Sequence, residues 1–414
     1  MSDSQSTNRQ PLKRFPRQMT ISFHEGGLKR DLVYELVGWD VGPDERTLRH
    51  GDNPGQDAAL YRLINGNLTI GEVTSIAPGN YLASLPELLQ QGRHPSKGSI
   101  VDADAALNIL RYLMDEPTCV ITKHANPSAV AVADRLPTAY LRAYLADRLA
   151  VVGGCVALNR AVDAATAEAI LESGAAVVVA PEYENGVTGL LAENKNLIVL
   201  RIGNMDKLSL WAGRRVIDFT SLIDGGLVAQ WSFVPATLTR EACRSATAIA
   251  QGKEISSRRQ PNGEEWNDML LAWKIATGVT SNTILFVKAG VTVGIGIGGQ
   301  DRLSAVETTR DKAYRKLADR LAWERFKTPF HYMVDPGMRE SIWLDASELR
   351  GGLIGAVMAS DGALPHRDAV DEAAKEGVVG IVQPGGDPGD YAVIRAANEH
   401  NMAMVFTGQR CFMY

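Results

Sequence analysis

A chain of 414 residues, 45% hydrophobic and 22% charged with a formal net charge of −5, lies in the ordinary globular range. Its length allows two or three domains or one large α/β body, and its balanced charge gives no general reason to expect a nucleic-acid partner. No run approaches the ~18 consecutive apolar residues of a membrane span. Cys119, Cys155, Cys243 and Cys411 lie far apart without a CxxC pair, and two of them fall in apolar, strand-like runs. That usage reads as reduced, buried thiols in a cytoplasmic protein with no membrane partner.

In chain order, residues 1–17, "MSDSQSTNRQPLKRFPR", are polar without an apolar signal core and read as a disordered tail. "TCVITKHANPSAV" (118–130) then runs from a buried, β-branched strand straight into Lys123-His124-Ala125-Asn126-Pro127. The bland reading is a salt-bridged lysine beside a satisfied histidine. Neighbours on a strand point to opposite faces, so one pocket can use both only where the strand ends and bends, which Asn126-Pro127 suggests. A cation and an imidazole so placed suit proton transfer.

"VDAATAEAILESG" (162–174) reads as a helix capped by Asp163 and closed by Gly174, running into a buried strand that ends at Pro181. "HRDAVDEAAKEGVVGIVQP" (366–384) repeats that grammar. Gly174 and Gly377, and Pro181 and Pro384, are each separated by 203 positions. "GLLAENKNLIVLRI" and "VIRAANEHNMAMVF" continue the echo, each as helix, Asn-containing turn and strand. A shared offset over two helix–strand units suggests an internal duplication, with chance similarity between generic βαβ segments as the alternative. Between the repeats, Arg240 to Arg259 is more polar and connector-like. "PNGEEWNDMLLAWKIATG" follows as a helix with Trp266, Leu270 and Trp273 on one face. "SNTILFVKAGVTVGIGIGGQDR" reads as two strands around a Lys-Ala-Gly turn, then a glycine loop.

Gly294, Gly296 and Gly299 satisfy GxGxxG, but the loop follows a hairpin and no acidic residue ends a following strand, so a dinucleotide site is disfavoured. A tight loop that lets backbone approach a ligand fits better, with Gln300 and Arg302 as polar groups. The seven histidines show no HxH or HExxH spacing, so no metal is expected.

"RHGDNPGQDAALY", "KHANPS", "RQPNGEEWNDMLLAWK", "SNTILFVKAGVTVGIGIGGQDR", "VMASDGALP", "GIVQPGG" and "MAMVFTGQRCF" together resemble AICAR transformylase. That is the folate-dependent formyltransferase domain of the bifunctional purine-biosynthesis enzyme whose other half is IMP cyclohydrolase. The resemblance covers about residues 45 to 414, and the expectation is that the cyclohydrolase half is missing.

It implies an α/β fold of two duplicated cytidine-deaminase-like α/β/α lobes without zinc. The first lobe, with an N-terminal extension, would span 18–240, a helical connector 241–280 and the second lobe 281–414. It also implies a homodimer with active sites at the interface, and 10-formyltetrahydrofolate as co-substrate.

Residue by residue, the resemblance gives Lys123 and His124 as the catalytic pair and Asn282 as the group at the reacting amine. Arg49, His50, Gly153, Ala363 and Arg410 fall at ribotide or neighbouring substrate positions, and Arg302, Leu303, Asp368, Asp387 and Pro388 at the folate. Arginines suit a phosphate dianion, and an aspartate can accept from a pterin's N–H groups.

Four departures surround the substrate: His50 replaces a tyrosine, Ala363 an aromatic, an acidic residue near Ala176 is absent, and "GIGGQDR" replaces "GAGQxSR". Formyl transfer to AICAR, transfer to a related amine, and a non-catalytic ribotide- or folate-binding partner of a separate IMP cyclohydrolase are the competing functions. The retained Lys123-His124 pair argues against the last.

Overall fold

The computed structural model describes residues 15–414 apart from 42–43, 54–55, 66–68, 71–72, 75–79 and 91–92. Most of the tail expectation, and Pro54-Gly55 of the "RHGDNPGQDAALY" stretch, fall outside the described residues.

The centre is one twelve-stranded mixed sheet. Its strands are β1 (Glu87–Leu88), β2 (Thr118–Lys123), β3 (Asn126–Val132), β4 (Cys155–Leu158), β5 (Val177–Ala180) and β6 (Ile198–Arg201), followed by β7 (Arg244–Ser245), β8 (Ile284–Lys288), β9 (Val291–Ile295), β10 (Val357–Ser360), β11 (Gly380–Gln383) and β12 (Ala403–Phe406). The spatial order is β7-β12-β11-β10-β8-β9-β3-β2-β4-β5-β6-β1. Reading outward from the middle, each half has an antiparallel hairpin, one antiparallel partner, two parallel strands and a two-residue antiparallel edge. The halves meet where β3 and β9 pair through Ala131 and Val291. The parallel strands β5, β11 and β12 are buried at every residue, as strands covered on both faces by helices must be.

Two helices cover one face across both halves: α1 (Lys97–Leu110) and α6 (Gly263–Ala276). They share a core with Val120, Leu285 and the fully buried Trp273. Truncating Trp273 to alanine is expected to cost about 3–5 kcal/mol. The other face is covered by α2 (Leu136–Ala146), α4 (Ala164–Ser173) and α5 (Val187–Leu191) over the first half. Over the second half lie α7 (Arg302–Phe326), with α8 (Pro336–Glu348) packed on it, then α9 (Asp368–Lys375) and α10 (Asp390–Glu399). The short helix α3 (Arg148–Val151) locks onto α7 through a buried ion pair, Arg148 Nη1 to Asp319 Oδ2 at 3.0 Å, with the guanidinium 3.7 Å from the Trp323 ring centroid.

Local signals explain the ends. Asp163 accepts from Thr166 N at 2.7 Å, and Gly174 leaves α4 at φ 76°. Gly377 leaves α9 at φ 79°. α6 begins with a reciprocal cap between Asn262 and Glu265. Within residues 241–280, β7 and a hairpin (Thr247–Ala250, Lys253–Ser256) precede that helix. No helix among the described residues is long and apolar enough to cross a membrane.

Candidate active site

The bend at the end of β2 falls two residues earlier than Asn126-Pro127. His124 and Ala125 both hold left-handed backbone, at φ 55° and 61°, and Asn126 already pairs with Lys123 as the first residue of β3. Two consecutive positive φ values make the tight two-residue hairpin turn whose twist matches the strands. Neither residue is glycine, so the turn holds strain of about 1–2 kcal/mol per residue.

A carboxylate secures it. Asp102 of α1 accepts from Ala125 N at 2.6 Å, and its backbone carbonyl accepts from Thr122 Oγ1 at 2.8 Å. Burial pushes the Asp102 carboxyl above its ordinary range, opposed by the Ala125 N–H and by the charges of His124 and Lys123. Lys123 Nζ donates to Val152 O at 2.8 Å, beside Gly153, which sits at φ 77°. A Cβ on Gly154 would come within 2.9 Å of Thr122 O, so the "VGG" loop can lie against the strand end only as glycine there.

The turn reaches the second half through Asn126, whose Oδ1 accepts from Thr280 N at 2.9 Å. Next along the chain, Asn282 exchanges backbone hydrogen bonds with Gly299 at 3.1 and 3.0 Å. Ser281 N donates to Met413 O at 2.9 Å, and Ser281 Oγ to Asp361 Oδ2 at 2.5 Å. Asp361 Oδ1 accepts from Arg302 Nη1, and Asp361 O from Cys411 N at 3.0 Å. Burial raises the Cys411 thiol well above its ordinary range; the Asp361 carboxylate adds to this and Arg302 opposes it. The guanidinium carbons of Arg302 and Arg410 lie 5.5 and 5.1 Å from the Phe412 ring centroid. Bonds through Asn126, Ser281 and Asp361 thus link the segments that carry Lys123, His124, Asn282, Arg302 and Arg410.

The remaining residues adjoin it. Arg49 N donates to Pro95 O, and Lys97 N to His50 O, both at 2.9 Å, which ties this segment to the first turn of α1. Asp102 stands about 8 Å further along the same helix at 1.5 Å per residue. Arg49 Nε is buried without a hydrogen-bond partner, and His50 Nδ1 lies 2.8 Å from Gly51 O. Ala363 occupies the loop after Asp361, where Leu364 N donates to Gln383 Oε1 at 2.8 Å. Gly389 lies against Pro365 O, so this loop touches the one bearing Asp387 and Pro388. Asp387 Oδ1 accepts from Gly389 N at 2.8 Å, and Asp368 Oδ1 from Ala369 N at 2.7 Å. Leu303 is half-buried in the first turn of α7.

The glycine loop has a different purpose from the one the sequence suggests. A Cβ on Gly296 would fall 2.1 Å from Thr309 Oγ1, and one on Gly299 2.8 Å from Ala305 Cβ. These glycines admit the flank of α7, so the backbone packs against a helix at those positions. A cavity of about 780 Å³ opens at the other end of the strands, beneath Lys288-Ala289-Gly290, and none of the expected site residues lines it. Among the described residues no group of three or more His, Cys, Asp or Glu is arranged to hold a metal ion.

Sequence reasoning missed Asp102, Ser281, Asp361 and Phe412. Asp361 and Phe412 stood inside recognisable motifs, whereas Asp102 is an ordinary helix residue and carried no signal.

The family model described as the AICARFT/IMPCHase bienzyme matches residues 35–312. The chain belongs to that family. It is 34% identical over 371 residues to the bifunctional purine biosynthesis protein PurH of Persephonella marina, covering 89% of this chain and 59% of the relative. The protein of the same name in Magnetococcus marinus is 35% identical over 370 residues, with the same coverage of each chain. That of Caldicellulosiruptor saccharolyticus is 32% identical over 367 residues, again 89% and 59%. The chain therefore spans about 59% of the length of the curated relatives it matches. The matched family span includes Lys123, His124, Asn282 and Arg302, while Asp361, Asp368, Asp387 and Arg410 lie beyond it.

Proposed function

We propose that this AICARFT/IMPCHase-family chain moves the formyl group of 10-formyltetrahydrofolate to the 5-amino group of AICAR, giving formyl-AICAR and tetrahydrofolate in purine biosynthesis. The observation that carries the reading is the continuous path from the Lys123-His124 turn through Asn126 and Thr280 to Asn282, Asp361 and Arg302. A general base, a cation, an orienting amide and a donor-side arginine thereby share one framework.

The residues fit both substrates. Arg410, exposed and without an ion pair among the described residues, suits the ribotide phosphate together with Arg49. Arg302, Leu303, Asp368, Asp387 and Pro388 stand on mutually touching elements that would receive the folate. His124 accepts the proton lost from the amine as the new C–N bond forms. Lys123 holds the formyl oxygen while negative charge gathers there and returns a proton to the departing folate nitrogen. Asn282 aligns the amine, which makes the encounter effectively unimolecular. No metal enters this scheme.

In the same reading the fold is a pair of duplicated, zinc-free cytidine-deaminase-like lobes, 18–240 and 281–414, joined by 241–280; the mirrored strand order supports it. The working form is a homodimer with active sites at its interface. In support, the hairpin Ile217–Ser221 and Leu227–Trp231 exposes Ile223, Leu227 and Trp231. A cyclohydrolase acting on formyl-AICAR would complete ring closure to IMP, and the setting is cytoplasmic.

The test is purified protein with AICAR and 10-formyltetrahydrofolate, following tetrahydrofolate release. Release that depends on AICAR is expected. Release with a related amine but not with AICAR would replace the acceptor, and none with any amine would overturn the reading.

A further inference from the structure

Two guanidinium groups lie over the Phe412 ring, 5.5 and 5.1 Å from its centroid, and they differ in one respect. Arg302 is neutralised: its side chain is 9% exposed and paired with Asp361, itself 0% exposed. Arg410 is exposed and has no ion pair among the described residues. Asp361 has little freedom to release Arg302. Its second oxygen accepts from Ser281 Oγ at 2.5 Å, and its backbone is bonded to Thr283 O and Cys411 N. Gly362, next in the chain, leaves no room beside the pair, since a Cβ there would fall 2.0 Å from Arg302 Nη2 and 2.6 Å from Phe412 Cε1.

Arg302 is also the first residue of α7, a 25-residue helix whose N-terminal end is itself partly positive. A desolvated guanidinium there, unneutralised, would be a strong anion receptor. With a buried carboxylate against it, the pair carries no net charge. Any N–H left over offers an oriented hydrogen bond, and a phosphate or carboxylate brought alongside would meet Asp361's negative charge.

Resting on the reading of this cluster as the substrate site, we infer that Asp361 sorts the two arginines. By neutralising Arg302 and leaving Arg410 without an ion pair among the described residues, it assigns the surroundings of Arg302 to an uncharged, hydrogen-bonding heterocycle and those of Arg410 to an anion. Asp361 is a positioning and specificity residue that acts through Arg302.

Inorganic phosphate, titrated calorimetrically into the full chain in a non-phosphate buffer, tests this without any turnover. Wild type should bind phosphate with an affinity that falls at least tenfold in Arg410→Gln and is unchanged in Arg302→Gln. Asp361→Asn, nearly isosteric, should gain a second phosphate site that persists in D361N/R410Q and vanishes in D361N/R302Q. Tetrahydrofolate binding, insensitive to phosphate in wild type, should become phosphate-sensitive in Asp361→Asn. A folded Asp361→Asn protein with unchanged phosphate stoichiometry would overturn the inference. So would wild-type phosphate binding that is lost in Arg302→Gln, a result available even if Asp361→Asn does not fold. Failure of formyl transfer alone would remove the proposed reaction and leave these binding outcomes standing.

Discussion

At one end of the sheet Lys123, His124, Ala125 and Asn126 turn the chain between β2 and β3. At the opposite end Lys288, Ala289, Gly290 and Val291 turn it between β8 and β9. Both turns hold their two central residues at positive φ. Each is secured by a carboxylate at the sixth residue of the preceding helix: Asp102 in α1 accepts from Ala125 N, and Asp268 in α6 from Ala289 N and Gly290 N, both at 2.7 Å. Behind each lysine lies a glycine at positive φ, Gly153 or Gly355, whose N–H is bonded to Gly174 O or Gly377 O. The framework is shared; the side chains on it are not. The second tip has glycine where glycine is least strained, whereas the first keeps His124 and Ala125 in backbone that costs them energy. Two non-glycine residues hold strained backbone at the tip that presents an imidazole, and one, Ala289 at φ 50°, at the tip that presents none.

The two tips should differ most in turnover. His124→Ala or Lys123→Ala is expected to lower formyl transfer by about 10²–10⁴-fold. Lys288→Ala at the other tip should stay within about twofold of wild type, since no step is assigned to it. Equal losses at both lysines, measured as tetrahydrofolate release, would mean that the tips are not specialised.

The carboxylates come next. Asp102→Ala and Asp268→Ala should each lower unfolding free energy by about 1–3 kcal/mol, because buried N–H groups lose their acceptor. Only Asp102→Ala should also reduce kcat. Urea titration beside the activity assay separates the two, and a dead Asp268→Ala enzyme would contradict the assignment.

Smaller again is the turn strain. Ala125→Gly should stabilise by about 0.5–1 kcal/mol and Gly290→Ala destabilise by about 1 kcal/mol. The second change also brings a Cβ to 3.3 Å from Val132 O. Opposite signs in thermal unfolding are expected; like signs would rule out the strain argument.

The smallest effect concerns charge. The second half ties α9 to α10 through Arg367, Asp371, Glu399 and His400, a network without counterpart on α4 and α5 among the described residues. The Arg367 guanidinium holds the Asp371 carboxyl at about 2, below its ordinary 3.8. A lowered folded-state value means that the stabilisation is complete above the ordinary value and is lost as pH falls through about 2. Asp371→Asn should therefore cost a few tenths of a kcal/mol (~0.3–1) near pH 6, as a screened surface pair does, and nothing near pH 2. A difference that persists at pH 2 would exclude this linkage.

The helix–strand grammar, the repeat offset of 203 between Gly174 and Gly377, the capped ends and the Lys-Ala-Gly hairpin were all legible in the amino-acid order. These depend on local chemistry: caps, left-handed glycines and fully apolar strands are written within a few residues of where they act. The residues expected at the site were readable as motifs, because each motif is contiguous.

What those motifs do together depends on contacts made only in the folded chain. The bend at His124-Ala125 depends on an acceptor supplied by Asp102 from another element, and the two lie 23 positions apart. The GxGxxG glycines proved to serve the approach of α7, which no reading of spacing distinguishes from the approach of a ligand. Whether Arg302 is a free cation or half of a neutral pair depends on Asp361, 59 positions away. Charge neutralisation, burial and strain are properties of pairs brought together by folding, so a linear sequence names the groups without revealing which of them meet.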